Sequence, residues 1–205
     1  MTPDLDEIAA PGHTAIVTQE CQGAVVGPDA GLAALANEAR REAVPNIARL
    51  LPAARDAGVR VVHCLVQRRP DGLGANHNAK IFTLGSGVEI APGTPGAELL
   101  PELGPEPSDV VLRRWHGIGP MGGTDLDAVL RNLAVTTIVA VGVSVNLAIT
   151  NLCMDAVNKA YRVVVPRDAV AGIPTAYANT IIDNMLSLLA TITTTDDLIR
   201  TWTTQ

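Results

Sequence analysis

Aromatic residues are almost absent from this chain of 205 residues, which has one phenylalanine, two tyrosines and two tryptophans. Proteins that stack nucleic-acid bases on their surface need exposed aromatic side chains, and this composition supplies few of them. Basic clusters are also missing, since no run of Lys or Arg is longer than a pair and the net charge is −6. These absences argue against nucleic acid and against an anionic membrane surface as partners.

Cysteines and long apolar runs are scarce as well. The three cysteines, Cys21, Cys64 and Cys153, are an odd number, and no two have the Cys-x-x-Cys spacing. This disfavours a disulfide framework and a zinc site, and we expect no metal and no cofactor. The most hydrophobic stretch, residues 138–145, is too short to span a bilayer, and the acidic N-terminus does not resemble a signal peptide. We therefore expect a cytoplasmic protein without a membrane partner.

Short β-branched runs alternate with helical stretches along the whole chain, in which 47% of the residues are hydrophobic. The predicted strands are residues 14–18, 59–66, 109–113, 136–142, 161–166 and 191–193. The predicted helices are residues 33–57, 125–133, 146–160, 175–189 and 196–202. Pro45 and Pro52 predict a kink or two shorter helices within the first of these. Between the second and third strands, residues 67–107 are rich in Gly and Pro and are predicted to form a long loop, often functional or a lid.

The predicted strands are almost continuously apolar, which is typical of a parallel sheet with helices on both faces. The sequence therefore predicts a single domain over residues 1–205, with a three-layer α/β/α architecture. Its central sheet is expected to be mostly parallel and to have about six strands.

Polar residues follow several of the predicted strands. In an open parallel sheet, ligands bind beyond the carboxyl ends of the strands. Glu20 follows the first strand, Gln67 the second and Arg114 the third, while residues 142–145 open a helix after the fourth. A carboxylate, an arginine and a helix N-terminus are therefore predicted to meet at one edge of the sheet. Arg113 is expected to face away, because neighbouring strand residues point to opposite sides.

Five short motifs occupy these strand ends and the neighbouring turns. They are Glu20-Cys21-Gln22, the stretch from Asp109 to Arg114-Trp115, Gly123-Thr124-Asp125-Leu126, Gly142-Val143-Ser144-Val145-Asn146-Leu147-Ala148, and MDAVNKAYRVVVPRDAVAG at residues 154–172. In this order they resemble the isochorismatase-like hydrolase superfamily over nearly the full length of the chain. The resemblance implies a hydrolase that acts on a small molecule and assembles into a homo-oligomer.

The superfamily's Asp–Lys–Cys triad is changed at all three positions, where the resemblance places Glu20, Arg114 and Ala148. Alanine has no nucleophilic atom, and no other cysteine is placed to supply one. Cys153 lies five residues beyond Ala148 on the same predicted helix, about 140° around its axis. Cys21 is expected to face away from Glu20, and Cys64 lies in the middle of a strand. The sequence therefore argues against a thioester mechanism.

A branch of the superfamily, the isochorismatases, is thought to work without a cysteine. There the acidic residue donates a proton, which implies that Glu20 is a general acid. Gln67 also resembles a glutamine of that branch. Arg114 does not give up its proton, so its implied role is electrostatic, through a planar fork that can bind two oxygens. The alternatives are a solvated or ion-paired carboxylate for Glu20 and a structural salt bridge for Arg114.

The remaining candidates are predicted substrate contacts. The turn with Val143, Ser144 and Asn146 is expected to present backbone N–H groups at a helix N-terminus, as an anion or oxyanion cradle. The resemblance implies a cis peptide between Val143 and Ser144, and the alternative is an ordinary Ser or Asn N-cap. The other predicted contacts are Gln22, Gln67 and His116, although a lone loop histidine is often incidental.

Three functions stay open from the sequence. The leading hypothesis is a cysteine-independent hydrolase that acts on a small anionic or carbonyl compound. The second is a catalytically inactive homologue that binds a ligand or serves as a scaffold. The third is an amidase in which Glu20 activates a water molecule.

Overall fold

The computed structural model describes residues 4–84 and 87–204. Residues 1–3 of the acidic N-terminus, residues 85 and 86 of the predicted loop, and residue 205 lie outside the described residues. The predicted N-terminus, loop and domain are therefore described in part.

The described strands form one sheet in which every strand pair is parallel. Their bounds are β1 Thr14–Gln19, β2 Arg60–Val66, β3 Val110–Arg114, β4 Thr137–Val143, β5 Arg162–Pro166, β6 Val170–Ala171 and β7 Thr191–Thr193. The strand order is β3-β2-β1-β4-β5-β7, and β6 pairs with β4. The predicted parallel sheet is confirmed. β6 was not predicted, because a strand of two residues is too short to show a pattern.

Helices cover both faces of the sheet. Their bounds are α1 Leu5–Ile8, α2 Gly23–Val26, α3 Ala33–Arg41, α4 Ala43–Asp56, α5 Leu126–Asn132, α6 Thr150–Asn158, α7 Thr175–Asn184 and α8 Thr195–Thr203. One buried core lies between the sheet and α3, α4 and α8, and a second lies between the sheet and α5, α6 and α7. These two cores confirm the predicted three-layer α/β/α fold. None of the described helices has the length and apolar character needed to cross a bilayer.

The long helical stretch at residues 33–57 is divided into two helices, as one of the predicted alternatives has it. The break lies at Glu42, and Pro45 is the third residue of α4. A proline fits there because the first N–H groups of a helix have no partner within the helix. Pro52, in contrast, lies inside α4.

Two predicted helices are shorter than expected. The stretch 146–160 begins with a π-helical turn at Val145–Ile149 and becomes α6 only at Thr150. The stretch 175–189 ends as α7 at Asn184 and continues as a 3₁₀ turn at Leu186–Leu188. The described part of residues 67–107 contains only two 3₁₀ turns, Lys80–Thr83 and Pro101–Leu103, so the loop prediction is confirmed there.

Candidate active site

A cavity of about 180 Å³ lies at the carboxyl ends of β1 to β4. Each of the four strands contributes to its wall, through the last residue of the strand or the residue that follows it. These residues are Glu20, Val66, Arg114 and Ser144. This is the edge of the sheet at which the sequence predicts a ligand site, and parallel strand ends meet there because all of these strands run in one direction.

Glu20 stands directly after β1 and has a backbone φ of 54°. This left-handed conformation is uncommon for a residue other than glycine. The Glu20 N–H donates to the carbonyl oxygen of Cys64 at 2.9 Å, which fixes the turn to β2. Because the chain leaves the extended conformation here, strand alternation no longer decides where the carboxylate lies. In the structure it lies in the cavity wall, where it forms an ion pair with Arg114.

Arg114 is the last residue of β3, and its side chain is only 4% exposed. Its Nη2 donates to the Glu20 carboxylate and, at 2.9 Å, to the carbonyl oxygen of Ile118. Its Nε and Nη1 are buried and have no hydrogen-bond partner among the described residues. Arg113 pairs instead with Glu98 at 2.7 Å and does not line the cavity, in agreement with the predicted alternation.

The fourth side of the cavity is formed by the turn after β4. The peptide between Val143 and Ser144 is cis, as the resemblance implies. Ser144 lines the cavity and lies at the N-cap position of the turn that follows, where its side chain makes no capping hydrogen bond. Ala148 lies within the π-helical turn, lines the cavity and is almost fully buried. The cavity therefore holds Glu20, Arg114 and Ala148 together, as the sequence predicts.

All three cysteines of the chain lie among the described residues, and none of them lines this cavity. Burial raises the pKa of Cys21 to about 12, with a smaller effect from the charge of Glu20. Burial likewise raises the pKa values of Cys64 and Cys153 to about 12. Because the thiolate is the reactive form, a cysteine with such a pKa is a poor nucleophile.

Two predicted substrate contacts have their side chains bonded to the backbone instead. The Gln22 amide donates to the carbonyl oxygens of Val66 and Gly96 at 2.9 and 3.0 Å and accepts from the Val66 N–H at 2.8 Å. The Asn146 amide donates to the Ile173 carbonyl oxygen at 2.9 Å and accepts from its N–H at 3.0 Å. Both amides satisfy peptide groups where strands end, and neither residue lines the cavity. They position the cavity walls.

Three further predicted contacts also lie outside the cavity lining. Val143 packs into the core beneath the turn. Gln67 is buried, and its N–H donates to the Arg114 carbonyl oxygen at 2.8 Å, which extends the pairing of β2 with β3. His116 is exposed and lines a separate cavity beside Trp115. The sequence order alone does not show that these three residues lie outside the cavity lining.

The apolar half of the cavity is absent from the sequence prediction. It consists mainly of residues from α3, the turn before it, and the 67–107 loop: Leu32, Leu35, Ile81, Phe82, Leu84, Val88 and Ile90. Arg68 also lines the cavity and was not predicted. A signal was available in the sequence, since residues 81–90 place several large apolar side chains, including the single Phe, in a loop otherwise rich in Gly and Pro.

A second polar cluster lies away from the cavity lining, around the buried residues His63 and Asp109. The Asp109 carboxylate accepts from Arg55 at 2.7 Å and from the Glu106 N–H at 2.8 Å, and His63 Nε2 lies 3.2 Å from it. His63 Nδ1 lies 2.8 Å from the Thr18 hydroxyl. This cluster connects α4, β1, β2 and the start of β3.

The pKa values of this cluster are shifted. Burial lowers the pKa of His63 below its usual value and outweighs the opposing effect of Asp109. Burial alone would raise the pKa of Asp109, but the hydrogen bonds from Arg55, Glu106 and His63 outweigh it and lower the pKa. Asp109 is therefore held as a carboxylate and His63 as a neutral imidazole. Among the described residues, no group of three or more His, Cys, Asp or Glu side chains could hold a metal ion.

The parallel α/β/α fold thus brings a carboxylate and an arginine together at the strand ends, in the wall of a cavity. Residues 14–197 match the isochorismatase domain model, and the chain belongs to the isochorismatase family. It is 28% identical over 174 residues to the ureidoacrylate amidohydrolase RutB of Rhizobium rhizogenes, covering 78% of this chain and 70% of that protein. This confirms the resemblance seen in the motifs.

Solved structures show the same relationship. A cysteine hydrolase from Pseudomonas syringae pv. phaseolicola superimposes with a TM-score of 0.84 at 26% identity, covering 95% of this chain and 94% of the other. An isochorismatase family protein from Desulfovibrio vulgaris gives a TM-score of 0.79 at 29% identity, covering 91% of this chain and 98% of the other.

Proposed function

We propose that this chain is a hydrolase that cleaves a small carbonyl or anionic compound with water, without a cysteine nucleophile. The observation that carries the proposal is the Glu20–Arg114 ion pair in the wall of the cavity, beside a residue, Ala148, that has only a methyl group. The buried cysteines, with pKa values of about 12, support a mechanism that does not depend on a thiolate.

Glu20 acts first as a general base and then as a general acid. As a water oxygen adds to the substrate carbonyl carbon, the Glu20 carboxylate takes a proton from that water. The bond to the leaving group then breaks, and Glu20 gives the proton to the departing atom. The carboxylate is restored after each turnover, and a positioned acid or base of this kind contributes about 10²- to 10⁴-fold to the rate.

Arg114 supplies electrostatic stabilisation. Its ion pair with Glu20 uses Nη2, while Nε and Nη1 remain without a partner among the described residues. Arg114 lines the cavity, so its positive charge favours an acceptor oxygen of the substrate. Donors that are already oriented stabilise negative charge that develops on that oxygen as water adds.

The relatives support a carbonyl substrate. The curated proteins that the chain matches include several ureidoacrylate amidohydrolases, whose name describes hydrolysis at a carbonyl group. An amide or related carbonyl compound is therefore the preferred substrate class for this chain.

A second candidate is a ligand-binding homologue without catalysis. Ala148 favours it, because a chain can keep the cavity of its family and lose the chemistry when a nucleophile is replaced by a methyl group. In that case Glu20 and Arg114 would serve only to bind a ligand or to hold the cavity in shape.

Turnover by the Glu20→Gln variant tests the proposal. The wild-type protein is assayed against a panel of simple amides and against isochorismate, and the variant is compared on the substrate that is turned over. Glutamine keeps the shape of Glu20 but cannot carry the proton, so we expect kcat to fall by about 10²- to 10⁴-fold.

Glu98→Gln is the matched control. Glu98 pairs with Arg113, the neighbour of Arg114 on β3, but it does not line the cavity. This variant should therefore keep wild-type turnover. Near-native turnover by Glu20→Gln would overturn the assigned role. A wild-type protein that binds panel compounds in the cavity and turns over none of them would establish the ligand-binding alternative.

A further inference from the structure

The charges in the cavity do not balance, and we infer that a ligand balances them. Resting on the proposed function, we propose that Arg68 binds an anionic group of the substrate, such as a carboxylate. The substrate class is then a small molecule with one anionic end and an apolar body.

Glu20, Arg68 and Arg114 are the charged residues that line the cavity among the described residues. Glu20 and Arg114 neutralise each other in their ion pair. The Arg68 guanidinium makes no hydrogen bond or ion pair with any described residue, although the residue is half-buried. A partly desolvated cation without a partner favours a bound anion more strongly than one that is fully solvated.

The backbone of Arg68 is held on both sides. The N–H of the preceding residue, Gln67, donates to the Arg114 carbonyl oxygen at 2.8 Å. The N–H of Arg68 itself donates to the Ile90 carbonyl oxygen at 3.0 Å, which ties it to the loop wall of the cavity. The side chain therefore begins from a fixed point at the end of β2, and little backbone freedom is lost when it binds a ligand.

Neighbouring arginines have partners. Arg69 donates to Asp71 through Nε and Nη2 at 2.9 and 2.6 Å, and Arg113 pairs with Glu98 at 2.7 Å. The carboxylates of Asp71 and Glu98 are thus paired with other arginines. The partner of Arg68 is therefore assigned to a molecule that enters the cavity.

The walls define the rest of the ligand. Leu35, Ile81, Phe82 and Ile90 are among the apolar residues that line the cavity. Its volume of about 180 Å³ is below the range of about 300–1,000 Å³ that holds drug-sized ligands, so the ligand is small. An apolar surround also strengthens a charge-assisted hydrogen bond between Arg68 and an anion.

The test compares two ligands of nearly equal shape, 4-methylpentanoate and the ketone 5-methylhexan-2-one, which has no leaving group for hydrolysis, by isothermal titration calorimetry. We expect the wild-type protein to bind the carboxylate about 10- to 100-fold more tightly than the ketone, which is the usual strength of a charged hydrogen bond. Arg68→Gln should bind both equally. Arg69→Gln is the matched control and should keep the preference, because Arg69 does not line the cavity.

Thermal melting verifies that both variants are folded. The proposal is overturned if the wild-type protein shows no preference for the carboxylate, or if Arg68→Gln retains that preference. Since the readout is equilibrium binding, it does not depend on turnover. A wild-type protein without the carboxylate preference would overturn the role of Arg68 and leave the role of Glu20 intact. A fully active Glu20→Gln variant would overturn the role of Glu20 and leave the role of Arg68 intact.

Discussion

At Ala148 the cavity wall carries only a methyl group, so this position has no nucleophilic atom. The residue lies in the cavity with Glu20 and Arg114, at the motif position where the family resemblance implies a cysteine. The two charged residues also differ from the Asp and Lys that the resemblance implies. Glu20 is a longer carboxylate, and Arg114 is a cation that does not donate its proton. The site therefore keeps a carboxylate and a cation, while its third residue, Ala148, is chemically inert.

Returning a thiol to this position tests whether Ala148 faces the cavity. In the Ala148→Cys variant we expect iodoacetamide to modify one thiol per chain within minutes at pH 8, because the new thiol is reached from the cavity. The native cysteines should react far more slowly, since all three are buried and have pKa values of about 12. Mass spectrometry measures the number and position of the modified residues.

The wild-type protein is the control for that experiment and should stay unmodified over the same time. If Ala148→Cys reacted no faster than the native cysteines, then residue 148 would not face the cavity, and the placement of the reaction centre would have to be revised.

At the scale of the elements, the cavity depends on how closely β1 and β4 approach at their ends. Gly142 lies opposite Gln19 in the register of these strands and has a φ of +109°. A Cβ atom on Gly142 would lie 2.3 Å from the Gln19 carbonyl oxygen and 3.0 Å from Cys21 Sγ. Only glycine fits both the backbone conformation and the space.

The Gly142→Ala substitution is therefore expected to be strongly destabilising. We expect a loss of about 2–4 kcal/mol in the free energy of unfolding, from the backbone conformation together with the steric contact. Urea denaturation followed by circular dichroism measures it. Gly12→Ala is the control, because a Cβ atom there meets nothing within 4 Å, and it should change stability by less than about 0.5 kcal/mol. A tolerated Gly142→Ala would show that β1 and β4 can separate at this end.

The loop at residues 67–107 is the element that gives the cavity its apolar character. It contributes Ile81, Phe82 and Ile90 to the cavity wall. One of its connections to the sheet is made by Gln22, whose amide bonds to both Val66 and Gly96. A side chain predicted to bind substrate thus holds the end of β2 against the loop.

Across the whole molecule, the buried cluster around His63 couples the stability of the fold to pH. Burial lowers the pKa of His63 below the value of about 6.5 that it has in the unfolded chain. The unfolded chain therefore binds a proton at a higher pH than the folded chain does, and protonation favours unfolding. The stabilising contribution of neutral His63 is complete above pH 6.5 and is lost as the pH falls through the folded pKa.

We expect the unfolding free energy of the wild-type protein to fall below about pH 6.5, by at most about 1.4 kcal/mol per pH unit from this one group. The His63→Gln variant should be less stable at pH 7.5 but should show a flatter dependence down to pH 5. Chemical denaturation at several pH values measures both effects. His77→Gln, at an exposed loop position, should keep the wild-type slope.

An unchanged slope in His63→Gln would assign the acid sensitivity to other groups. Asp109 acts in a separate and lower pH range, because its pKa is lowered by Arg55, Glu106 and His63 and its contribution is lost only at strongly acidic pH.

The predicted homo-oligomer stays a prediction. Large apolar side chains are exposed on α6 and α7, among them Met154, Val157 and Tyr177.

The sequence by itself determined the architecture of the protein and the meeting of Glu20, Arg114 and Ala148 in its site. Continuous apolar strands require a sheet buried on both faces, and parallel strand ends must meet at one edge, so Glu20, Arg114 and Ala148 could be placed together from their positions after β1, after β3 and in the turn after β4. The motifs also indicated the family.

Only the tertiary structure decided the rest of the site. Gln22, Asn146 and His116 looked like contacts because they are polar and near strand ends, but a side-chain amide is equally suited to satisfy backbone groups there. Arg68 and Phe82 reach the cavity through a loop whose path is set by distant hydrogen bonds, such as the one from Arg68 to Ile90. Local patterns indicate where each strand lies and where it ends, whereas the course of a long loop depends on the surface against which it packs.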